Sequence, residues 1–259
     1  MRYDAQSAGI TELQRATFHR SALLRLLSDK HPQIPDPKYD FGERLGRWLD
    51  LSDAMTLFSV LGTEAGDRAR VPAAENDLPD QLQRVRRTLS ETIRNDGVFS
   101  SAPEDKPTPP RIPFPTPASS ATGDGAPDFV PFHRYYLAQQ REMSAAITPL
   151  RAQARKALAA RSDAGRQLAE LDAAFEKALS AREHLLLANI PGLLARSFER
   201  RYAERQPTTD DRGAPAAWTR PGSWLEAFCN DVKRVLLAEL DLRLKPVVGL
   251  IAALTGANS

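Results

Sequence analysis

The sequence predicts an all-α protein in two helical parts, on the strength of three observations. Apolar residues recur at steps of three and four through most of the chain, the spacing that lines one face of a helix. Nine of the 20 prolines crowd into residues 97–131 within a Gly/Ser/Thr/Ala background, a composition that neither helix nor strand accommodates. Beyond that break, three long helical stretches follow, each with one interior proline. The expected architecture is a small N-terminal helical module (1–96), a Pro/Gly/Ser-rich disordered linker (97–126) and a C-terminal bundle of three long proline-kinked antiparallel helices (127–259).

In the first part, Thr11–Ser28 reads as a helix, with Leu13, Phe18, Leu23, Leu24, Leu26 and Leu27 as its apolar residues. Prolines at 32, 35 and 37 then hold the chain extended or turning. A second helix starts near Asp36, which would cap it ahead of Pro37, or at Asp40, which would form a capping box with Glu43. It carries Phe41, Leu45, Trp48 and Leu49 on one side, with Phe41 and Trp48 packing the module. Ser52 is the expected N-cap of a third helix that Gly62 ends. Leu82, Val85, Leu89 and Ile93 mark a fourth, from about Pro79 to Asp96.

After the linker the helices lengthen. The first runs from about Pro127 to Ala160, the second from Asp163 to Arg205 and the third from Pro221 to Leu254, each with its apolar register sustained over four or more heptads. Pro149, Pro191 and Pro246 lie inside them. Each removes a backbone donor and crowds the carbonyl four residues back, so each either kinks its helix or breaks it. The apolar register runs on through Ile190–Leu193 and Leu244–Val247, which favours kinks.

Composition narrows the function classes. Net charge is +2, and arginine outnumbers lysine 28 to 7, a bias of a GC-rich bacterial genome rather than of a nucleic-acid binder. The single cysteine, Cys229, permits no intramolecular disulfide and no cysteine-built metal site. The N-terminus lacks the apolar stretch of a secretory signal, and the longest apolar run, Val247–Leu254, is far short of the ~20 residues a spanning helix needs. These features predict a cytoplasmic protein without a transmembrane segment.

Catalytic signatures are missing. The sequence contains no phosphate-binding loop, no H-E-x-x-H, no G-x-S-x-G and no Glu-x-x-His pair of a di-iron bundle. His19, His31, His133 and His184 are far apart in the chain, and Cys229 reads as a buried thiol. The expectation is therefore a non-enzymatic protein with no catalytic residue, cofactor or metal. Two arginine groups stand out: Arg84, Arg86 and Arg87, and Arg196, Arg200, Arg201 and Arg205. The second would meet an acidic partner, nucleic acid or an anionic membrane surface. It also suits a helix C-terminus, and Glu199 and Glu204 dilute it. The run His133–Tyr136 suits a plug at the bundle's open end, and Trp224 a plug at the other end. Trp218 and Tyr135 are the expected exposed partner contacts.

Residues Phe41–Met55 resemble the N-terminal block of an uncharacterised bacterial family, domain of unknown function 3348. Ala181–Pro191 and Leu237–Pro246 resemble its C-terminal blocks, so the similarity spans both parts and skips the linker. Members of that family tend to be encoded near a membrane protein and an OmpA-like, wall-binding protein. The resemblance therefore implies an adaptor beside an envelope complex. The residues themselves lead to a helical scaffold for protein partners, self-associating or docking helices, with binding to nucleic acid or an anionic membrane surface as the alternative.

Overall fold

The architecture is described from a computed structural model, which describes residues 21–30, 41–62, 77–95, 128–205 and 222–256. All regular structure in these residues is helical: α1 (Ala22–Lys30), α2 (Phe41–Trp48), α3 (Leu51–Gly62), α4 (Leu78–Asn95), α5 (Val130–Arg161), α6 (Asp163–Ala188), α7 (Ile190–Glu204) and α8 (Trp224–Gly256). The start of the first expected helix, Thr11–Arg20, and the linker both lie outside the described residues, as does the Phe41 side chain. Trp48 is half-buried.

Helices α5, α6–α7 and α8 form an up-down-up bundle. Arg151 and Arg155 on α5 pair with Asp172 and Glu176 on α6, which fixes the antiparallel register of those two helices. Phe132 meets Phe228 near the start of α5 and α8, and Arg161 reaches the Leu254 carbonyl near their ends at 2.6 Å, so α5 and α8 run parallel. One residue turns α5 into α6. Ser162 is extended (φ −160°, ψ 163°), and its hydroxyl accepts the Gly165 amide at 2.9 Å. A Cβ on Gly165 would lie 2.3 Å from the Leu158 carbonyl oxygen, which is backbone and has nowhere to go. Gly165→Ala is therefore expected to open this turn and destabilise the protein by about 1–3 kcal/mol, measurable as a lower urea midpoint.

The interior prolines behave in two ways. Pro149 and Pro246 are carried inside continuous helices. At Pro191 the expected single helix is instead two, parted at Asn189, with Pro191 in the first turn of α7 where a missing N–H costs nothing. Asn189 steadies the gap: its side-chain amide donates to the Leu185 carbonyl at 2.9 Å, while its own carbonyl accepts the Leu193 amide.

The N-terminal capping differs too. Asp50, not Ser52, caps α3. Its carboxylate accepts the Asp53 amide at 2.7 Å, and Asp53 returns the interaction to the Asp50 amide at 3.3 Å, a capping box shifted two residues back. Ser52 is already helical and accepts the Thr56 hydroxyl at its carbonyl.

Before residue 97, α1, α3 and α4 pack on the long helices that follow residue 127. The described helices before residue 97 do not gather around a core of their own. Leu23 on α1 and Leu78, Leu82, Leu89 and Ile93 on α4 are buried in the same apolar cluster as Met143, Leu236 and Leu244. Both α1 and α4 pack on α8, α4 also touches α5, and α3 lies along α6. Arg86 on α4 pairs with Asp241 at 2.8 Å, and Lys233 donates to the Arg94 carbonyl at 3.1 Å. An amphipathic stripe of four residues buries too little surface to stand alone, and the long helices offer a ready apolar wall.

Candidate interaction site

Three places on this frame bear on function: a polar cluster inside the bundle, an aromatic end, and the outer face of α3. The polar cluster centres on Glu239 of α8, whose side chain is 0% exposed. Its carboxylate accepts the Tyr136 hydroxyl at 2.7 Å, the Gln140 amide at 3.0 Å and Arg243 Nε at 2.8 Å. Burial, reinforced by the neighbouring carboxylate, raises the Tyr136 hydroxyl well above its ordinary range, so it stays a donor. Gln140 Nε2 also reaches the Leu187 carbonyl at 3.2 Å. That carbonyl belongs four residues before Pro191, which has no N–H to give it. It is met instead by the Asn189 backbone amide and by Gln140 from the neighbouring helix α5.

Arg243 leads from this cluster to a cleft of about 430 Å³ between α5, α6 and α8, lined by Ser144, Thr148, Arg151, Glu176, His184 and Arg243 among others. Along one side, Arg151 grips Asp172 with two bonds of 2.9 and 2.7 Å, and Arg155 bonds the same carboxylate at 2.7 Å. Burial of Asp172 works against its charge, but the two guanidinium groups prevail and hold the carboxyl below its ordinary range. The charges on this cleft are largely matched within the fold. Its chemistry is that of a structural seam, in which a carboxylate or guanidinium already has its partner. The two C-terminal segments that carry the family resemblance meet at the cleft through His184 and Arg243, and at the buried cluster through Leu187 and Glu239, both bonded to Gln140.

At the start of the bundle, Phe129, Phe132, Phe198, Phe228 and Trp224 form one aromatic cluster, with Phe198 and Phe228 centroids 5.0 Å apart and Phe198 and Trp224 5.2 Å apart. The up-down-up course puts the starts of α5 and α8 at the same end, so Trp224 joins the plug around Phe132 rather than closing the opposite end. Tyr135 is not an exposed contact: it is 2% exposed and part of this core. Trp218 lies outside the described residues.

The arginines near residues 196–205 do not present one basic face. Arg196 and Arg200 are exposed. Arg201 turns inward to Asp231 at 2.5 Å, and Arg205 lies 3.4 Å over the Tyr202 ring while bonding that residue's carbonyl. Helical periodicity placed these side chains on the surface of α7, but not which of them the neighbouring helix would claim.

The outer face of α3 is the feature that sequence reading missed. At 100° per residue, Asp53, Leu57 and Val60 share the side turned to α6, and Leu57 is buried there. Gln167 on α6 donates to the Val60 and Leu61 carbonyls. The opposite side carries Leu51, Met55 and Phe58, which are 79%, 65% and 78% exposed, with Leu61 at their flank at 60%. Scattered exposed leucines are ordinary, but a run of large apolar side chains along one helix face marks an interaction surface. A signal was present in the sequence: α3 has apolar residues on both sides and Asp53 as its single charge.

Two features are absent from the described residues. No three of their His, Cys, Asp or Glu side chains gather so as to hold a metal ion, and no helix among them is long and apolar enough to cross a membrane. Cys229 is buried, which pushes its thiol up to about 12.

Fold and surface together define an all-α bundle protein with an uncovered apolar face on one of its helices. The chain belongs to the DUF3348 family, described as proteins of unknown function, whose model matches residues 10–256. No curated protein and no solved structure matches it.

Proposed function

We propose that this protein is a non-enzymatic helical scaffold or adaptor that works through protein–protein contacts in the cytoplasm. The observation that carries this reading is the outer face of α3, where Leu51, Met55 and Phe58 stand in solvent on a helix already seated by its other side. Such a face stays in water only at a cost in free energy, which a partner's apolar surface would recover. The buried, fully bonded Glu239 and the inert Cys229 thiol support a structural rather than a catalytic use of the polar interior. The family resemblance adds an envelope complex containing an OmpA-like protein as the setting. Arg201 and Arg205, engaged within the fold, speak against the alternative of a polyanion or anionic membrane surface bound through that cluster.

The test compares tagged wild-type protein with Phe58→Glu, purified from native cells in mild detergent and analysed by mass spectrometry. The expected result is a set of co-purifying proteins, or additional copies of the chain itself, reduced on the order of tenfold or more by the substitution. The circular dichroism spectrum should stay unchanged, because Phe58 packs on nothing it would disturb. Equal recovery with both proteins would refute the assignment of this face.

A further inference from the structure

Resting on that reading, we infer that the occupant of the α3 face is a second copy of this chain, bound through the same face in an antiparallel, two-fold arrangement. The pattern of side chains on α3 carries the inference. Leu51, Met55, Phe58 and Gly62 follow one another at steps of four, three and four, directly opposite the side packed on α6. Turned end for end, the stripe reads four, three, four again. An antiparallel copy therefore sets Leu51 against Gly62, Met55 against Phe58, and the same two pairs once more on the other side of the axis. That is the isologous pairing a two-fold contact requires.

Size and charge fit the same partner. A Cβ built on Gly62 meets nothing within 4 Å, so there is open room for the branched end of Leu51 from the other copy. The two large side chains of the middle positions would interdigitate between helices 8–10 Å apart, large against small at the ends. The face has no charge to bury and none to repel its own copy, since Asp53 lies on the inner side. Leu51, Met55, Phe58 and Leu61 together expose roughly 500 Å² of side chain, toward the top of what monomers leave uncovered. Two such faces bury at most about 1,000 Å², at the threshold of a specific interface and in the range of a weak, reversible dimer. A membrane surface is the weaker fit, because α3 carries no lysine or arginine to meet lipid headgroups.

The experiment measures the mass of the full chain in solution by sedimentation, from about 1 to 100 µM. The expected result is a monomer–dimer equilibrium whose dissociation constant rises at least about tenfold in Phe58→Glu and in Gly62→Leu. The second substitution leaves the monomer untouched, since the space it fills is empty. A short bismaleimide should also link two chains through Met55→Cys but not through wild type, whose only thiol is the buried Cys229. A chain that stays monomeric throughout, or a dimer indifferent to both substitutions, would overturn the inference. If that monomer still loses other proteins on Phe58→Glu, the second copy is excluded while the interaction reading stands. If it loses nothing, both fall. Binding of the wild-type monomer to phosphatidylcholine or phosphatidylglycerol vesicles would likewise overturn it in favour of lipid.

Discussion

Glu239→Ala is expected to destabilise the protein by about 3–5 kcal/mol, among the largest effects of any single substitution on it. The carboxylate is the one acceptor shared by Tyr136, Gln140 and Arg243 inside the bundle. Removing it leaves the buried Tyr136 hydroxyl without its acceptor and the part-buried Arg243 guanidinium without its carboxylate, each at a desolvation cost, while Gln140 keeps only the Leu187 carbonyl. Tyr136→Phe deletes one donor and leaves the others satisfied, so it should cost only about 1 kcal/mol. Urea unfolding followed by circular dichroism gives both numbers. Equal midpoints for the two variants would show that the cluster does not act as a unit. The Gln140 bond to Leu187 adds a local consequence: loosening the cluster should raise hydrogen exchange first around Leu187–Leu193, where Pro191 already interrupts the backbone ladder.

Phe228→Ala should cost a similar amount, about 3–5 kcal/mol, for a different reason. Its ring is fully buried and touches those of Phe129, Phe132 and Phe198 at centroid distances of 6.2, 5.3 and 5.0 Å. Truncation leaves a cavity that rigid aromatic neighbours cannot collapse into, and it removes edge-on ring contacts beyond the area term. Phe228→Leu should lose less, because most of the volume remains. The shape of the transition is as informative as its midpoint. Two modules on a tether would unfold in two steps, with only the C-terminal step moved by this change. A core shared by α1, α4, α5 and α8 unfolds in one, and the whole transition should shift together.

Helix identity was legible in the sequence because it is a local property. The steps of three and four along Leu82–Ile93 or Leu225–Ile251 need no partner to be recognised, and observed ends of the long helices fall within a few residues of the expected ones. Family membership was likewise readable from three short segments. The fate of the interior prolines was not. Pro149, Pro191 and Pro246 are chemically alike, and whether a helix continues past one depends on what satisfies the freed carbonyl and on the packing either side. At Pro191 the helix parts at Asn189, and the Leu187 carbonyl is met by the Asn189 backbone amide and by Gln140, 47 residues before Leu187 in the chain.

The candidate surface was hidden for a related reason. A stripe of apolar residues announces a buried face, but α3 has apolar residues all round, and the sequence does not say which side another helix will cover. Tyr135 and Phe58 illustrate the reversal: an aromatic beside a polar run is buried, and one within an apolar run is in solvent. By itself, then, the sequence determined the helices, the proline-rich division and the absence of a familiar catalytic motif, since these follow from neighbours in the chain. The tertiary structure alone decided that the helices on both sides of that division share one core, and that α3 keeps a face outside it. Burial and ion pairing are set by residues distant in sequence, and only the folded arrangement brings those together.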